Sequence, residues 1–273
     1  MSVFVHDGLN FHYRDEGQGF PFVFQHGLGG DLSQPFSVCR PAPGIRLLSF
    51  DLRGHGQTRP LGDVNKLTIA ELAKDLVAFL DYLEIGQAVI GGISLGSAVA
   101  VSATLRYPDR VLGLVVSRPA WIGGPQVGNV RRYAMIAGLI RELGAKEGRK
   151  AFLNTPEYQA MDRESPDCAR SLISQFEQPR AEECVDRLER LSSDSPCNRT
   201  DYARIQVPTL ILGNRQDPIH PWEYSQTLAQ LIPDAVLREL TPKSVSVENH
   251  AADVQKALDE FLLQHFREKI TPC

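Results

Sequence analysis

Gly91-Gly92-Ile93-Ser94-Leu95-Gly96-Ser97-Ala98 is the stretch that decides how this chain folds. It contains Gly-x-Ser-x-Gly. Before it lies the apolar run Ala88–Gly91, read as a strand, and after it Leu95–Tyr107, read as a helix that ends before Pro108. A strand that turns sharply into a helix through such a pattern holds its central residue in a strained conformation. The flanking positions must then be nearly free of side chain, which Gly92 and Gly96 satisfy. The hydroxyl of Ser94 is left standing above the C-terminal edge of a sheet, and the first amides of the following helix point at the same spot. The wider segment Ile85–Leu105 has no charged side chain, about the length of a membrane span. Its glycines and serines divide it into strand, turn and helix instead.

Working outward, short apolar runs stopped by glycine clusters read as buried strands. They are Ser2–His6, Leu9–Asp15, Phe20–Gln25 and Ile45–Phe50 before the serine, then Val111–Ser117, Thr209–Gly213 and Ala235–Leu240 after it. Helical spacing marks a helix from Ile69 to Leu83, opened by Thr68 and Glu71 as a capping pair. It also marks Trp222–Leu231 and Ala251–Phe266. This alternation predicts an α/β fold, with a mostly parallel twisted sheet flanked by helices. Residues 122–205 break the pattern. They are rich in Arg and Glu, hold no convincing strand, and carry short amphipathic stretches at Val130–Leu143, Ala169–Phe176 and Ala181–Leu191. The expected organisation is a core of residues 1–121 and 206–273, with residues 122–205 inserted between two sheet strands as a helical cap. Gly123, Gly124 and Gly128 are candidate hinge positions for that cap.

A serine hydroxyl needs a base, and the base needs an orienting acid. Downstream of Ser94 stand His220, His250 and His265. His250, after the last strand and at the start of the final helix, is the expected base. His220, close behind Asp217, is the alternative and reads more as a loop-shaping residue. His265 lies far along the final helix. Asp217 follows the strand Thr209–Gly213 and is the expected acid, because the loop after Val111–Ser117 offers no carboxylate. Gln25-His26-Gly27-Leu28-Gly29 follows an early strand, which makes the backbone N–H groups of Leu28 and Leu95 the candidate oxyanion donors. His26 and His55 read as packing and turn residues. Arg118 and Trp121 enter the inserted segment directly after a strand. Arg118 is a candidate grip for a substrate carboxylate, with pairing to a cap acid as the plainer alternative, and Trp121 is a candidate pocket wall.

Four segments together resemble the α/β-hydrolase superfamily, in its capped serine-hydrolase form. They are His26-Gly27-Leu28-Gly29-Gly30, Asp51-Leu52-Arg53-Gly54-His55-Gly56, Gly92-Ile93-Ser94-Leu95-Gly96, and Gly213-Asn214-Arg215-Gln216-Asp217 followed by His250. The resemblance implies a triad of Ser94, Asp217 and His250 and a cap over the site. It points to carboxylesterases, enol-lactonases, carbon–carbon bond hydrolases and cofactor-free haloperoxidases. Two departures stand out: Asn249 where that family has glycine before its histidine, and Ser97 after the elbow. The expected activity is hydrolysis of a small ester, lactone or related acyl substrate through an acyl-enzyme. A carbon–carbon bond hydrolase or a haloperoxidase/perhydrolase is the alternative within the family. A hydrolase-fold small-molecule receptor is the alternative outside catalysis.

Composition agrees with an ordinary globular protein. The chain has 273 residues, 29 basic against 33 acidic, and a net charge of −4. That balance disfavours the phosphate backbone, so nucleic acid is not an expected partner. A small molecule is, with no metal and no organic cofactor required. Five scattered cysteines form no CxxC pair, and no signal peptide is apparent at Met1, so free thiols and a cytoplasmic location are expected.

Overall fold

The computed structural model describes residues 2–124 and 128–270. Its centre is an eight-stranded sheet in the order β1-β2-β4-β3-β5-β6-β7-β8. The strands are β1 (Ser2–His6), β2 (Leu9–Gly17), β3 (Phe20–Gln25), β4 (Ile45–Phe50), β5 (Ala88–Ile93), β6 (Val111–Ser117), β7 (Thr209–Gly213) and β8 (Val236–Glu239). β1 and β2 form an antiparallel hairpin, β2 pairs antiparallel with β4, and every other pairing is parallel. β3, β4, β5 and β7 are buried along nearly their whole length, as continuous apolar runs in a covered parallel sheet must be. Two apolar layers result. One holds α2 (Ile69–Tyr82) and α3 (Leu95–Arg106) against the sheet, and the other holds α9 (Val247–Ile270) against the opposite face through Val254, Leu258, Phe261 and Phe266. The remaining core helices are α1 (Ser33–Val38) and α8 (Trp222–Leu231).

The Thr68 hydroxyl caps α2 by accepting from the Glu71 amide at 3.2 Å. The second half of the capping box is missing, because the Glu71 carboxylate turns outward to Lys74. Among the described residues no helix is long and apolar enough to cross a membrane.

Between β6 and β7 the chain forms four helices: α4 (Arg131–Leu153), α5 (Pro156–Glu164), α6 (Pro166–Glu177) and α7 (Val185–Ser193). α4 runs longer than its amphipathic pattern suggests, because the backbone breaks at Gly144 (φ 74°, ψ 164°) and resumes helically. The inserted helices are fastened to the sheet by side chains. Arg187 Nη1 donates to the Gly54 carbonyl at 2.7 Å, Arg180 Nη1 to the Thr58 carbonyl at 2.7 Å, and the Ile69 amide to Asp194 Oδ2 at 2.6 Å. On another side the Ser165 hydroxyl donates to the Gln216 carbonyl at 3.2 Å. Gly123, Gly124 and Gly128 all have positive φ near the start of the insertion, while Pro125–Val127 lie outside the described residues.

Candidate active site

The turn after β5 has the geometry that its sequence demands. Ser94 is the one residue between strand and helix, and its backbone sits at φ 54°, ψ −111°. A non-glycine residue there is strained, and the surroundings enforce it. A Cβ on Gly92 would lie 2.4 Å from the Gly96 carbonyl carbon, and one on Gly96 would lie 2.4 Å from the Gln25 carbonyl oxygen. Strand, turn and helix are thus in backbone contact, and larger residues would push the serine out of place.

Ser94 Oγ lies 2.9 Å from His220 Nε2, and His220 Nδ1 lies 2.9 and 3.0 Å from the two oxygens of Asp217. An ionised carboxylate can only accept, so Nδ1 carries the proton and Nε2 accepts from the serine hydroxyl. All three residues are buried. Asp217 and His220 lie on a single turn after β7. The His220 amide donates both to the Asp217 carbonyl and to Oδ1, each at 3.1 Å, and Pro218 stiffens the turn between them.

This differs from the expectation that His250 would be the base. α9 starts at Val247, so His250 already lies on its first turn, with its amide donating to the Ser246 carbonyl at 3.0 Å. Its Nδ1 is taken up at 2.8 Å by the Thr241 carbonyl, and burial pushes its pKa down to about 4. The imidazole beside Ser94 is that of His220. A local signal was available: in Asp217-Pro218-Ile219-His220 a tight turn stacks the fourth side chain over the first.

Arg118, expected to grip a substrate carboxylate or pair with a cap acid, instead pairs with Asp217 of the core. Its Nε and Nη2 both donate to Asp217 Oδ2, at 2.9 and 2.5 Å, from the end of β6 to the loop after its neighbour β7. The Arg118 amide also donates to the Leu212 carbonyl at 2.7 Å, which ties its strained backbone (φ 49°) to β7. Cys168 of α6 completes the shell, donating its thiol to Asp217 Oδ1 at 3.1 Å. Burial alone would raise the Asp217 pKa. The Arg118 charge and the His220 contact outweigh it and hold the carboxyl well below the usual range. Burial lowers the pKa of His220, the Asp217 charge opposes this, and Arg118 adds to the lowering, so the ring is a neutral acceptor at neutral pH. Burial pushes the Cys168 thiol up to about 12, which leaves it a donor and not a nucleophile.

A cavity of about 280 Å3 opens over Ser94. Gly27, Leu28, Ile93 and His220 form its floor, and Tyr133, Asp167, Cys168 and Arg170 reach in from the inserted helices. Leu28 lies in a turn where its amide has no acceptor among the described residues, and the Leu95 amide opens α3, where helix geometry leaves it unpaired. Trp121 is buried in the apolar layer and is not among the cavity-lining residues. His26 serves its turn: Nδ1 donates to the Gly27 carbonyl at 2.8 Å, and Nε2 accepts from the Leu52 amide at 3.0 Å.

Comparison with known proteins agrees with this architecture. Residues 21–135 match the sequence model of the alpha/beta hydrolase fold. The chain is 32% identical to the 2-hydroxymuconate semialdehyde hydrolase of Pseudomonas putida, over 84% of this chain and 82% of that protein. It is 27% identical to 3-oxoadipate enol-lactonase 2 of Acinetobacter baylyi, over 90% and 91% of the two chains. Among solved structures, the enol-lactonase from Burkholderia xenovorans LB400 superposes with a TM-score of 0.72 at 25% identity, covering 96% of this chain and 99% of that one. The elbow serine, the sheet order and these likenesses together establish that the chain belongs to the α/β-hydrolase family.

Proposed function

We propose that the protein is a serine hydrolase of a small ester, lactone or related acyl substrate, with Ser94 as nucleophile, His220 as general base and Asp217 as orienting acid. The observation that carries this reading is the continuous hydrogen-bonded line from Ser94 Oγ through His220 to Asp217 at the floor of a cavity. His220 Nε2 takes the hydroxyl proton as Oγ attacks the carbonyl. The oxyanion forms where the Leu28 and Leu95 amides supply donors. The resulting imidazolium gives its proton to the leaving oxygen, then takes one from the water that cleaves the acyl-enzyme, and Asp217 steadies its charge throughout. Residues 122–205 act as the cap that shapes the substrate cavity.

A second reading, hydrolysis of an activated carbon–carbon bond, is favoured by the 32% identity to 2-hydroxymuconate semialdehyde hydrolase. The same serine and base serve it, with a carbanion as the leaving group. The test is labelling by a fluorophosphonate, with p-nitrophenyl esters as reporter substrates. Stoichiometric loss of activity with the label on Ser94 supports the serine-hydrolase reading. Normal turnover by Ser94→Ala, or a label elsewhere, overturns it.

A further inference from the structure

The cavity above Ser94 carries more positive charge than its own walls neutralise. Arg118, Arg170 and Lys243 line it, and Asp167 is the one carboxylate among the lining residues. Arg118 is already committed to Asp217. Arg170, whose side chain is largely exposed, shares Asp167 at 3.7 Å. Lys243 has neither an ion-pair partner nor a hydrogen-bond acceptor among the described residues, yet it is half-buried and borders the cavity over Ser94. Its ammonium is therefore stripped of part of its water, and Asp167 and Asp217 offset that loss only through space, without a direct contact.

The backbone that carries that ammonium is tied close to the chemistry. Lys243 lies in the loop between β8 and α9, and the neighbouring Ser244 hydroxyl donates to Gln216 Oε1 at 3.1 Å, next to Asp217. The loop that carries the cation is thereby tied to the loop that carries the acid and the base. Burial pushes the Lys243 pKa down to about 8, and the Arg118 charge adds to that effect. The side chain stays mostly charged at neutral pH. Asp167 stands in the same cavity, shared between Arg170 at 3.7 Å and the field of Lys243, and is the one carboxylate there to oppose an anion. A negative group on a bound molecule thus sits best beside Lys243, the lining cation without a direct ion-pair partner among the described residues.

We propose that the substrate is itself an anion, a short acyl compound with a carboxylate at one end, and that Lys243 receives this carboxylate while Ser94 attacks the carbonyl at the other. The proposal rests on reading Ser94 as the nucleophile. The small cavity restricts the spacer to a few carbons, and the charge-assisted contact orients the carbonyl over Ser94. Lys243 is a specificity-determining residue that holds substrate without taking part in bond making.

The test compares two esters that differ by one methyl group, the mono-p-nitrophenyl ester of succinate and its neutral methyl p-nitrophenyl diester. The expected kcat/KM ratio favours the anion by about tenfold or more, chiefly through KM, as suits a hydrogen bond to a charged group. Lys243→Met lowers the ratio toward one, Lys243→Glu inverts it, and Lys243→Arg keeps it above one. A wild-type ratio of one, or a ratio that none of these substitutions moves, overturns the proposal while ester turnover still supports the nucleophile. If neither ester is turned over and Ser94 resists fluorophosphonate, the serine-hydrolase reading fails instead. The subsite is then judged by thermal shift with free succinate, where stabilisation of wild type but not of Lys243→Met supports it and equal shifts overturn it.

Discussion

Arg118 and Asp217 form a buried ion pair in which two guanidinium nitrogens share a single carboxylate oxygen, 2.9 and 2.5 Å away. The cation therefore sits directly behind the acid that orients His220. It fixes the plane of the carboxylate and draws off part of the negative charge that would otherwise make the imidazole more basic. The acid limb of kcat/KM is expected below the ordinary histidine value of about 6.5, because burial and Arg118 both favour the neutral ring. Arg118→Met removes a positive charge, so the His220 pKa rises and the limb moves to higher pH. Turnover at neutral pH is expected to fall by about 10- to 100-fold, since truncating one side of a buried pair leaves an unbalanced charge of about 3–5 kcal/mol that activity absorbs in part. Arg118→Lys keeps the charge but loses the fork, so it should restore the limb more than the rate. An unchanged pH–rate profile in Arg118→Met would show that the pair is only structural.

The two histidines separate cleanly by substitution. His220→Ala is expected to cost about a million-fold in kcat, on the scale of base removal in other serine triads. His250→Ala should leave kcat within about tenfold, because its ring is engaged with the Thr241 carbonyl and not with Ser94. Single-turnover measurement of phosphonate labelling in both variants distinguishes them. Loss of labelling in His250→Ala with labelling intact in His220→Ala would reverse the assignment of the base.

His250 has a different signature, in stability. Its folded pKa is lowered to about 4, so between about 6.5 and that value the unfolded chain binds a proton that the folded chain refuses. Folding stability contributed here is complete above the unfolded value and drains away as pH falls through this window. His250→Gln should flatten the fall in Tm between neutral pH and pH 4. Identical pH dependence of Tm in the variant and wild type would count against it.

Gly92→Ala tests the elbow without touching a reacting group. Its Cβ would lie 2.4 Å from backbone of Gly96, too close for side-chain adjustment to relieve. The strand and helix must part, at a cost of roughly 1–3 kcal/mol or more. Thermal unfolding should fall by several degrees, and labelling of Ser94 should slow. A variant as stable and as reactive as wild type would mean that the turn is looser than its contacts indicate.

Most of the sheet is legible in the sequence because a buried parallel strand needs a continuous apolar run, and β3, β4, β6 and β7 have the bounds those runs suggest. The less regular parts are harder. α5 is polar with Met161 as its one buried residue, so it offers no apolar stripe to read, and α1 is six residues long. At the site, Ser94 is legible because its turn imposes glycines on both sides. The histidine is not, because position after the last strand suggests His250 while the contact is made by a side chain one turn beyond the acid. Arg118 escapes for a related reason. Its partner lies 99 residues downstream, and only the adjacency of β6 and β7 brings them together.

The bolts that fasten the inserted helices bear on how a molecule would reach Ser94 under the proposed cap. Arg180 and Arg187 plant cationic groups on the carbonyls of Thr58 and Gly54, while Ser165 and Cys168 grip the loop carrying the acid. A roof pinned at both eaves cannot swing as one flap without exposing buried arginines and unseating the acid in the same motion. If the inserted helices cap Ser94 as proposed, traffic is expected to pass by the width of an aperture and not by the timing of a gate. In such a building the breadth of the clientele is set by a few side chains at the doorway, and can change without rebuilding the walls.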